Sequence, residues 1–285
     1  MKSKFKIILK VFGVLLLLAA GIGAFVYFKY MRPFLAAMKT TEQIQLNKNL
    51  RVVTGGGGNS GIFTSKNLLV LIDTKMDDAA NALHSQVEEM LGGRKLIIIN
   101  THNHPDHVRG NPLYKNATII AGNYGKEEWL KEANAETLPT VWLKDTMHIA
   151  LDDDTLLVMN MAKNIHTSND VMVYALRRKI LFTGDLVLNH QAPVLMGVAD
   201  ANAYLTFFDE LIDKYPIKAI IPGHGNIAGI EALDDFKLYF LNMKKAAQNP
   251  ELEDEMVTKY KDWQQLPIFM SPGATIDHFR KKDIE

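Results

Sequence analysis

The stretch THNHPDH, Thr101 to His107, places three of the chain's nine histidines and an aspartate within six residues. Directly before it, KLIIIN (Lys95 to Asn100) is a short apolar run suited to a buried strand. Where such a strand ends, the chain leaves the sheet and a crevice opens at its carboxyl end. The fold must therefore cover the strand on both faces and present the polar cluster at the sheet's edge. In an extended segment alternate residues share a side, so His102 and His104 form two prongs for one cation. Asp106 and His107 follow as the chain turns and can face a second cation. Imidazole nitrogen and carboxylate oxygen are both zinc donors.

Further donors arrive later in the chain, each next to an apolar run. His166 lies in NIHTSND, Asp185 closes ILFTGD and His224 lies in IIPGHG. Their positions at strand ends allow convergence on one edge of the sheets. His84, on an expected helix, and His148, on an expected strand, read as structural residues. His190 follows Asp185 closely enough to be a secondary pocket candidate.

There is no cysteine, which excludes disulfides and thiolate ligands. Charge is balanced, 32 Lys+Arg against 32 Asp+Glu, so the basic excess of a nucleic-acid binder is missing. With 47% hydrophobic residues, the chain can bury a full core. Nothing in the sequence specifies an oligomeric state.

The N-terminus bears on location. Lys2, Lys4, Lys6 and Lys10 precede VFGVLLLLAAGIGAFVYF, an uncharged run from Val11 to Phe28, and Lys29 and Arg32 follow it. A membrane span needs about 20 apolar residues, whereas the apolar core of a signal peptide is usually about 7–15. The run continues past the small residues Gly21, Gly23 and Ala24 into Tyr27, Phe28 and Tyr30, which read as interfacial anchors. An uncleaved anchor over residues 1–32 is expected, with a cleaved signal peptide as the alternative. The charge bias favours an extracytoplasmic catalytic domain, periplasmic or at the cell surface. Residues 33–50 read as a linker, 51–248 as the catalytic domain and 249–285 as a helical extension.

Within the catalytic domain, strand-like and helix-like segments alternate. NLLVLID and KLIIIN are strands flanking a helix that starts near Asp78. MHIAL with TLLVMNMA, and VMVYAL with ILFTG, read as hairpins. Helices near Ala201–Tyr215 and Ile230–Ala247 flank the strand KAIIPG, which completes an α/β architecture. GGGGNSG, Gly55 to Gly61, lacks the Lys-Ser/Thr pair of a phosphate loop and reads as a turn. Asp152 to Asp154 read as a solvated hairpin turn. The segment Leu186 to Asp200 is expected to border the site, its apolar content pointing to a partly apolar substrate.

Together, THNHPDH, HTSND, FTGD and PGHG resemble the metallo-β-lactamase superfamily of metallohydrolases, over about Arg51 to Ala247. The resemblance implies a four-layer αβ/βα sandwich with a dinuclear metal centre at one edge. It implies His102, His104 and His166 around one metal, Asp106, His107 and His224 around the other, and Asp185 between them. Common zinc β-lactamases place cysteine where Asp185 stands and arginine where His107 stands. Glyoxalase-II-type thioesterases share both residues, but have a Gly-His pair where this chain has Asn169 and Asp170.

The expected function is a hydrolase with two Zn2+ per chain, opening an ester, thioester, lactone or amide bond of a small molecule. Two divalent ions about 3.5–4 Å apart share a water whose pKa falls towards 7, so a metal-bridging hydroxide is the expected nucleophile. Asp106 and Asp185 are the catalytic carboxylates in this reading. The alternatives are β-lactamase-like or glyoxalase-II-like specificity, or an iron-containing redox relative with the same ligands.

Overall fold

The computed structural model describes residues 2–212 and 214–282. The chain enters through helix α1 (Lys2–Val26), continues through a π turn (Tyr27–Met31) and ends the helical segment in α2 (Arg32–Ala37). Pro33 explains the π turn. It has no N–H to donate to the carbonyl of Lys29, and its ring crowds that carbonyl. The register opens by one residue, so the Arg32 N–H reaches back to the Tyr27 carbonyl. Leu15 to Leu18, Ile22, Phe25 and Phe28 are exposed. The segment is long and apolar enough to cross a membrane, a property that signal sequences share. Tyr30, within the π turn, and Phe34, in α2, pack against the core of the second sheet.

Residues 33–50, expected to be a linker, are structured. After α2, strand β1 (Thr41–Asn47) pairs antiparallel with β2 (Leu50–Gly55), Gln43 opposite Val53. β1 is the outer strand and its side chains are mostly exposed, so it has no buried face to impose the alternation that would reveal a strand.

The first sheet runs in chain order from β1 and β2 through β3 (Ser60–Thr64), β4 (Leu68–Ile72), β5 (Lys95–Ile99) and β6 (Thr118–Gly122) to β7 (Val141–Leu143). Pairing is antiparallel as far as β4 and parallel from β4 to β7. Helix α3 (Asp77–Leu91) makes the crossover between β4 and β5, and α4 (Pro105–Val108) and α5 (Gly125–Trp129) follow β5 and β6. The second sheet holds β8 (Thr146–Ala150), β9 (Thr155–Met161), β10 (Asp170–Ala175), β11 (Ile180–Gly184) and β12 (Ala219–Pro222). Its last pair, β11 with β12, is parallel, with α6 (Ala201–Ile212) between them. Helices α7 (Glu231–Gln248), α8 (Glu253–Lys259) and α9 (Pro272–Lys282) complete the chain.

Period-two alternation sorts the strands into layers. From β4, Val70 and Ile72 face the space between the sheets, where they meet Val171, Val173 and Phe182 of the second sheet. Leu69 and Leu71 face the other way, onto Leu83 and Val87 of α3. In β10 the same rule sends Met172 and Tyr174 outward, onto the cluster that holds Phe207 and Phe208 of α6 and Phe236 and Phe240 of α7. The result is the expected four-layer αβ/βα sandwich, with apolar runs continuous because both faces are buried. One turn departs from expectation. Asp154 is buried, with Arg178 Nη1 at 2.7 Å from its Oδ2, and its carboxylate accepts from the Arg177 and Arg178 backbone N–H groups. It pins the β8–β9 turn to the β10–β11 turn.

Phe182 spans the two sheets, lying edge-on to Phe63 at 5.6 Å between ring centroids. Phe182→Ala should lower stability by about 3–5 kcal/mol, the usual cost of emptying an aromatic core site. Urea unfolding followed by circular dichroism would measure it as a reduced midpoint at unchanged slope.

Candidate metal centre

Both sheets stop at the same edge, and the polar residues gather there. His102 leaves β5, and His104 sits at the N-cap of α4, whose Pro105 fixes the turn that carries Asp106 and His107. His166 comes from the turn into β10, Asp185 follows β11, and His224 lies two residues past β12. All seven residues singled out in the sequence are brought together. His102, His104, His166 and Asp185 form one group and Asp106, His107 and His224 a second, the candidate donor atoms within each lying inside 4.8 Å of one another.

Asp185 stands between the groups. Its Oδ1 is 3.3 Å from His107 Nε2, and its Oδ2 is 3.5 Å from both His166 Nε2 and His224 Nε2. Asp106 Oδ2 lies 3.2 Å from His224 Nε2, and His166 Nε2 lies 3.1 Å from His104 Nδ1. Zinc bonds of 2.0–2.1 Å at tetrahedral angles separate neighbouring donors by about 3.4 Å, so these spacings fit a cation. Among the described residues, His102 Nε2, His107 Nε2, His166 Nδ1 and Asp185 Oδ1 are buried without a hydrogen-bond partner. Orphaned atoms of this kind are rare in a folded core and call for a partner.

The supporting residues keep those atoms aimed. Asp73, at the end of β4, accepts from the Thr101 backbone N–H at 2.8 Å and the Thr101 hydroxyl at 2.7 Å, and faces His107 Nδ1 at 2.7 Å. A proton on Nδ1 satisfies that bond and turns the Nε2 lone pair inward. Asp170 anchors the His166 turn by accepting from the His166 N–H, the Thr167 N–H and the Thr167 hydroxyl. The Tyr204 hydroxyl donates to the Asp185 carbonyl. The glycine turn is also part of the centre. A Cβ on Gly58 would lie 2.2 Å from the His107 ring, and one on Gly57, where φ is +92°, would lie 2.8 Å from the Asp106 Cβ. Lys75, fully buried, spans behind this turn and donates to the Gly55 and Gly58 carbonyls. Burial pushes its pKa down to about 7, although Asp73 and Asp106 pull it upward.

None of Asp73, Lys75, Asp170, Gly57 and Gly58 was singled out from sequence. Asp73 carried a readable signal, since it closes an apolar strand as Asp185 does. Other expectations change. Leu186, Val187 and Leu188 are buried in the core beneath α6 and α7, so this part of the loop's apolar content is structural, whereas Met196 and Val198 are exposed. Its Gln191 does reach the site, lining a cavity of about 430 Å3 together with His224. His190 belongs to neither group, and its ring lies 5.8 Å from that of Trp263. His84 packs edge-on against Tyr114, as a structural residue of α3.

Comparison with known proteins agrees with this geometry. The family model of the metallo-beta-lactamase superfamily matches residues 53–224. The chain belongs to this superfamily. A type 2 metallo-beta-lactamase from Bacillus sp. (strain 170) is 27% identical over 195 residues, covering 64% of this chain and 76% of that one. The human acyl-coenzyme A thioesterase MBLAC2 is 26% identical over 178 residues, covering 52% of this chain and 62% of that protein. A solved metallo-beta-lactamase from Pontibacter korlensis superposes with a TM-score of 0.63 at 22% identity, covering 71% of this chain and all of that one. These relatives are hydrolases, and this metallo-beta-lactamase-superfamily chain is a hydrolase too.

Electrostatics divide the two groups in the metal-free protein. Burial, with the neighbouring imidazoles, pushes His102 well below the usual histidine range and His166 down to about 3. They are neutral at pH 7. Burial opposes charge on His107 and His224 as well, but the carboxylates prevail. Asp73, Asp106 and Asp185 hold His107 well above the usual range, and Asp185 and Asp106 raise His224 to about 9. A cation entering the second group must displace one proton from each of these two rings. Calorimetric titration of metal-free protein with Zn2+ at pH 7, in buffers of differing ionisation enthalpy, should show proton release on filling that group. Affinity there should rise with pH through the neutral range, since both rings stay protonated above the usual histidine pKa. Proton-neutral binding, or affinity independent of pH, would contradict this arrangement.

Proposed function

We propose that the protein is a membrane-anchored hydrolase using two zinc ions, which opens an ester, thioester, lactone or amide bond of a small molecule. The observation that carries the proposal is Asp185, within 3.5 Å of imidazoles from both donor groups. In this reading His102, His104 and His166 hold one cation, Asp106, His107 and His224 hold the other, and Asp185 bridges them. When bound, such a pair supplies Lewis acidity for the substrate oxygen and lowers the pKa of water to near neutrality.

The chain's own groups do the rest. Burial alone would raise the pKa of Asp106, but His107 and His224 hold it well below the usual carboxylate range. Asp185 is held low against burial in the same way by His224 and His107. With cations bound these imidazoles would be neutral, and the cations themselves would keep both carboxylates ionised at neutral pH, so Asp106 and Asp185 act as acceptors rather than proton donors. Asp73 and Thr101 keep the His107 ring from turning, and Gly58 leaves room for it. The substrate enters beside His224, where Gln191 stands at the cavity wall, while the Asn59 amide is committed to the Gly55 N–H and the Pro222 and Gly225 carbonyls.

The carboxylate at position 185 and the imidazole at position 107 favour acyl esters and thioesters over β-lactams, since the common zinc β-lactamases resembled here carry cysteine and arginine at those places. The thioesterase name of the MBLAC2 relatives points the same way. Metal analysis of protein purified without added metal should give about two zinc ions per chain. Asp185→Asn, which replaces a bridging carboxylate by a neutral amide, should lose metal from both positions and most turnover. One iron per chain, or an Asp185→Asn variant that keeps both metals and full activity, would sink the assignment.

The anchor reading has its own support in the exposed apolar side chains of α1 and the lysines before the run. In this reading the catalytic domain lies on the extracytoplasmic side. Intact mass measurement of protein isolated from membranes should find residues Val11 to Phe28 retained. A mature terminus near Phe25 would establish cleavage and secretion instead.

A further inference from the structure

The cavity beside His224 has walls of two different origins. One is formed by Asn59, Gln191 and His224 at the strand ends. The other begins with Phe34, Ala37 and Met38, from α2 and the residue after it, and ends in the polar Thr40, Thr41 and Glu42. This second wall continues the helix whose earlier part is the apolar segment. From Phe28, where that run ends, to Ala37 is nine residues, or about 14 Å of helix. The cavity therefore lies about 14 Å along the helix from Phe28, on the side away from the apolar run and past the aromatic residues Tyr27, Phe28 and Tyr30.

The junction is firm. The Gly56 N–H donates to the Ala37 carbonyl at 3.1 Å, and the Thr40 hydroxyl donates to the Ala36 carbonyl at 2.6 Å. Gly55, with φ at +71°, comes so near that a Cβ there would lie 2.3 Å from the Thr40 carbonyl oxygen. The same glycine turn abuts Asp106 and His107 at its other end. A flexible linker of polar residues would be enough to keep an enzyme near a membrane. Here the end of the apolar helix is built into the site instead.

We infer that the cavity admits amphiphiles from the bilayer interface, with an acyl chain lying along Phe34, Ala37 and Met38 and its ester or thioester carbonyl turned towards His224. The inference builds on the hydrolase and anchor readings above and narrows their substrate class to long-chain acyl esters and thioesters. Water adds across the acyl C–O or C–S bond, which breaks to give a fatty acid and an alcohol or thiol.

The test uses the full-length, zinc-loaded protein in phosphatidylcholine vesicles with acyl thioesters of N-acetylcysteamine of 4, 8, 12 and 16 carbons. Full burial of one methylene is worth up to about fourfold in binding. A rise in kcat/KM of at least tenfold from the 4-carbon to the 12-carbon acyl group is expected, carried mainly by KM. Met38→Asp, which sets a charge in the apolar wall, should flatten that rise by raising KM for the long chains, with zinc content unchanged. In parallel, a non-hydrolysable 12-carbon thioether carrying a diazirine at its chain end should label the peptide from Phe34 to Glu42. Turnover with no dependence on chain length, together with labelling elsewhere, overturns the inference and leaves the hydrolase reading standing. If none of the four thioesters is turned over, the narrowing to acyl thioesters fails while the wider hydrolase reading stands, and the label decides the site: attachment within Phe34 to Glu42 supports amphiphile binding there, and attachment elsewhere refutes it.

Discussion

Desolvated polar atoms without partners cost about 1–3 kcal/mol each, more when charged, and this protein gathers four of them at one sheet edge. His102 Nε2 has no partner, and the 3.3 Å approach of His107 Nε2 to Asp185 Oδ1 is a charge contact within the cluster itself. The surrounding structure is arranged to preserve this frustration. Asp73 and Thr101 occupy the far side of His107, Asp170 holds the His166 turn, and Lys75 fastens the glycine turn from behind. Together these contacts make the inward-facing atoms stay unpaired until a cation arrives, which is how a folded chain prepares a binding site at the expense of its own stability.

What the sequence disclosed depended on how each residue does its work. His102, His104, Asp106 and His107 are dense enough in the chain to be unusual on their own. Asp185 and His224 are single residues, but each closes or follows an apolar strand, and so their position in the fold could be read from periodicity. Asp73 had the same placement and no companions nearby to draw attention. Lys75 and Gly58 could not be read at all, since each acts through a neighbour distant in the chain: Gly58 matters because of the His107 ring, forty-nine positions later. β1 escaped notice for the opposite reason, an exposed edge strand having no buried face to impose a pattern. The apolar residues of the 186–200 loop were legible as apolar, but pattern alone does not say whether such residues face substrate or core, and Leu186 to Leu188 face the core.

The N-terminal helix changes how the rest of the molecule is understood. A helix and a catalytic sandwich could have been separate units joined by a flexible tether. Pro33 instead re-registers the helix through a π turn, from which Tyr30, followed by Phe34, packs against the core of the second sheet while Ala37 meets the glycine turn. The apolar helix and the site are thus structurally continuous, joined from the end of α2 to Asp106 and His107 by the four glycines Gly55 to Gly58.

Each sheet is cut from one unbroken stretch of chain, the first ending at Leu143 and the second beginning at Thr146. The donors are divided between them, four before that point and three after. During synthesis the first sheet can close on α3 while the ribosome is still making the second, and in that interval His102 to His107 are bare ligands without their partners. A complete pair of cation positions comes into being only when the two halves dock. Cations bound across the junction then favour the docked form over the separated halves by mass action, so the metals would act as the final fastener of assembly as well as the agents of chemistry.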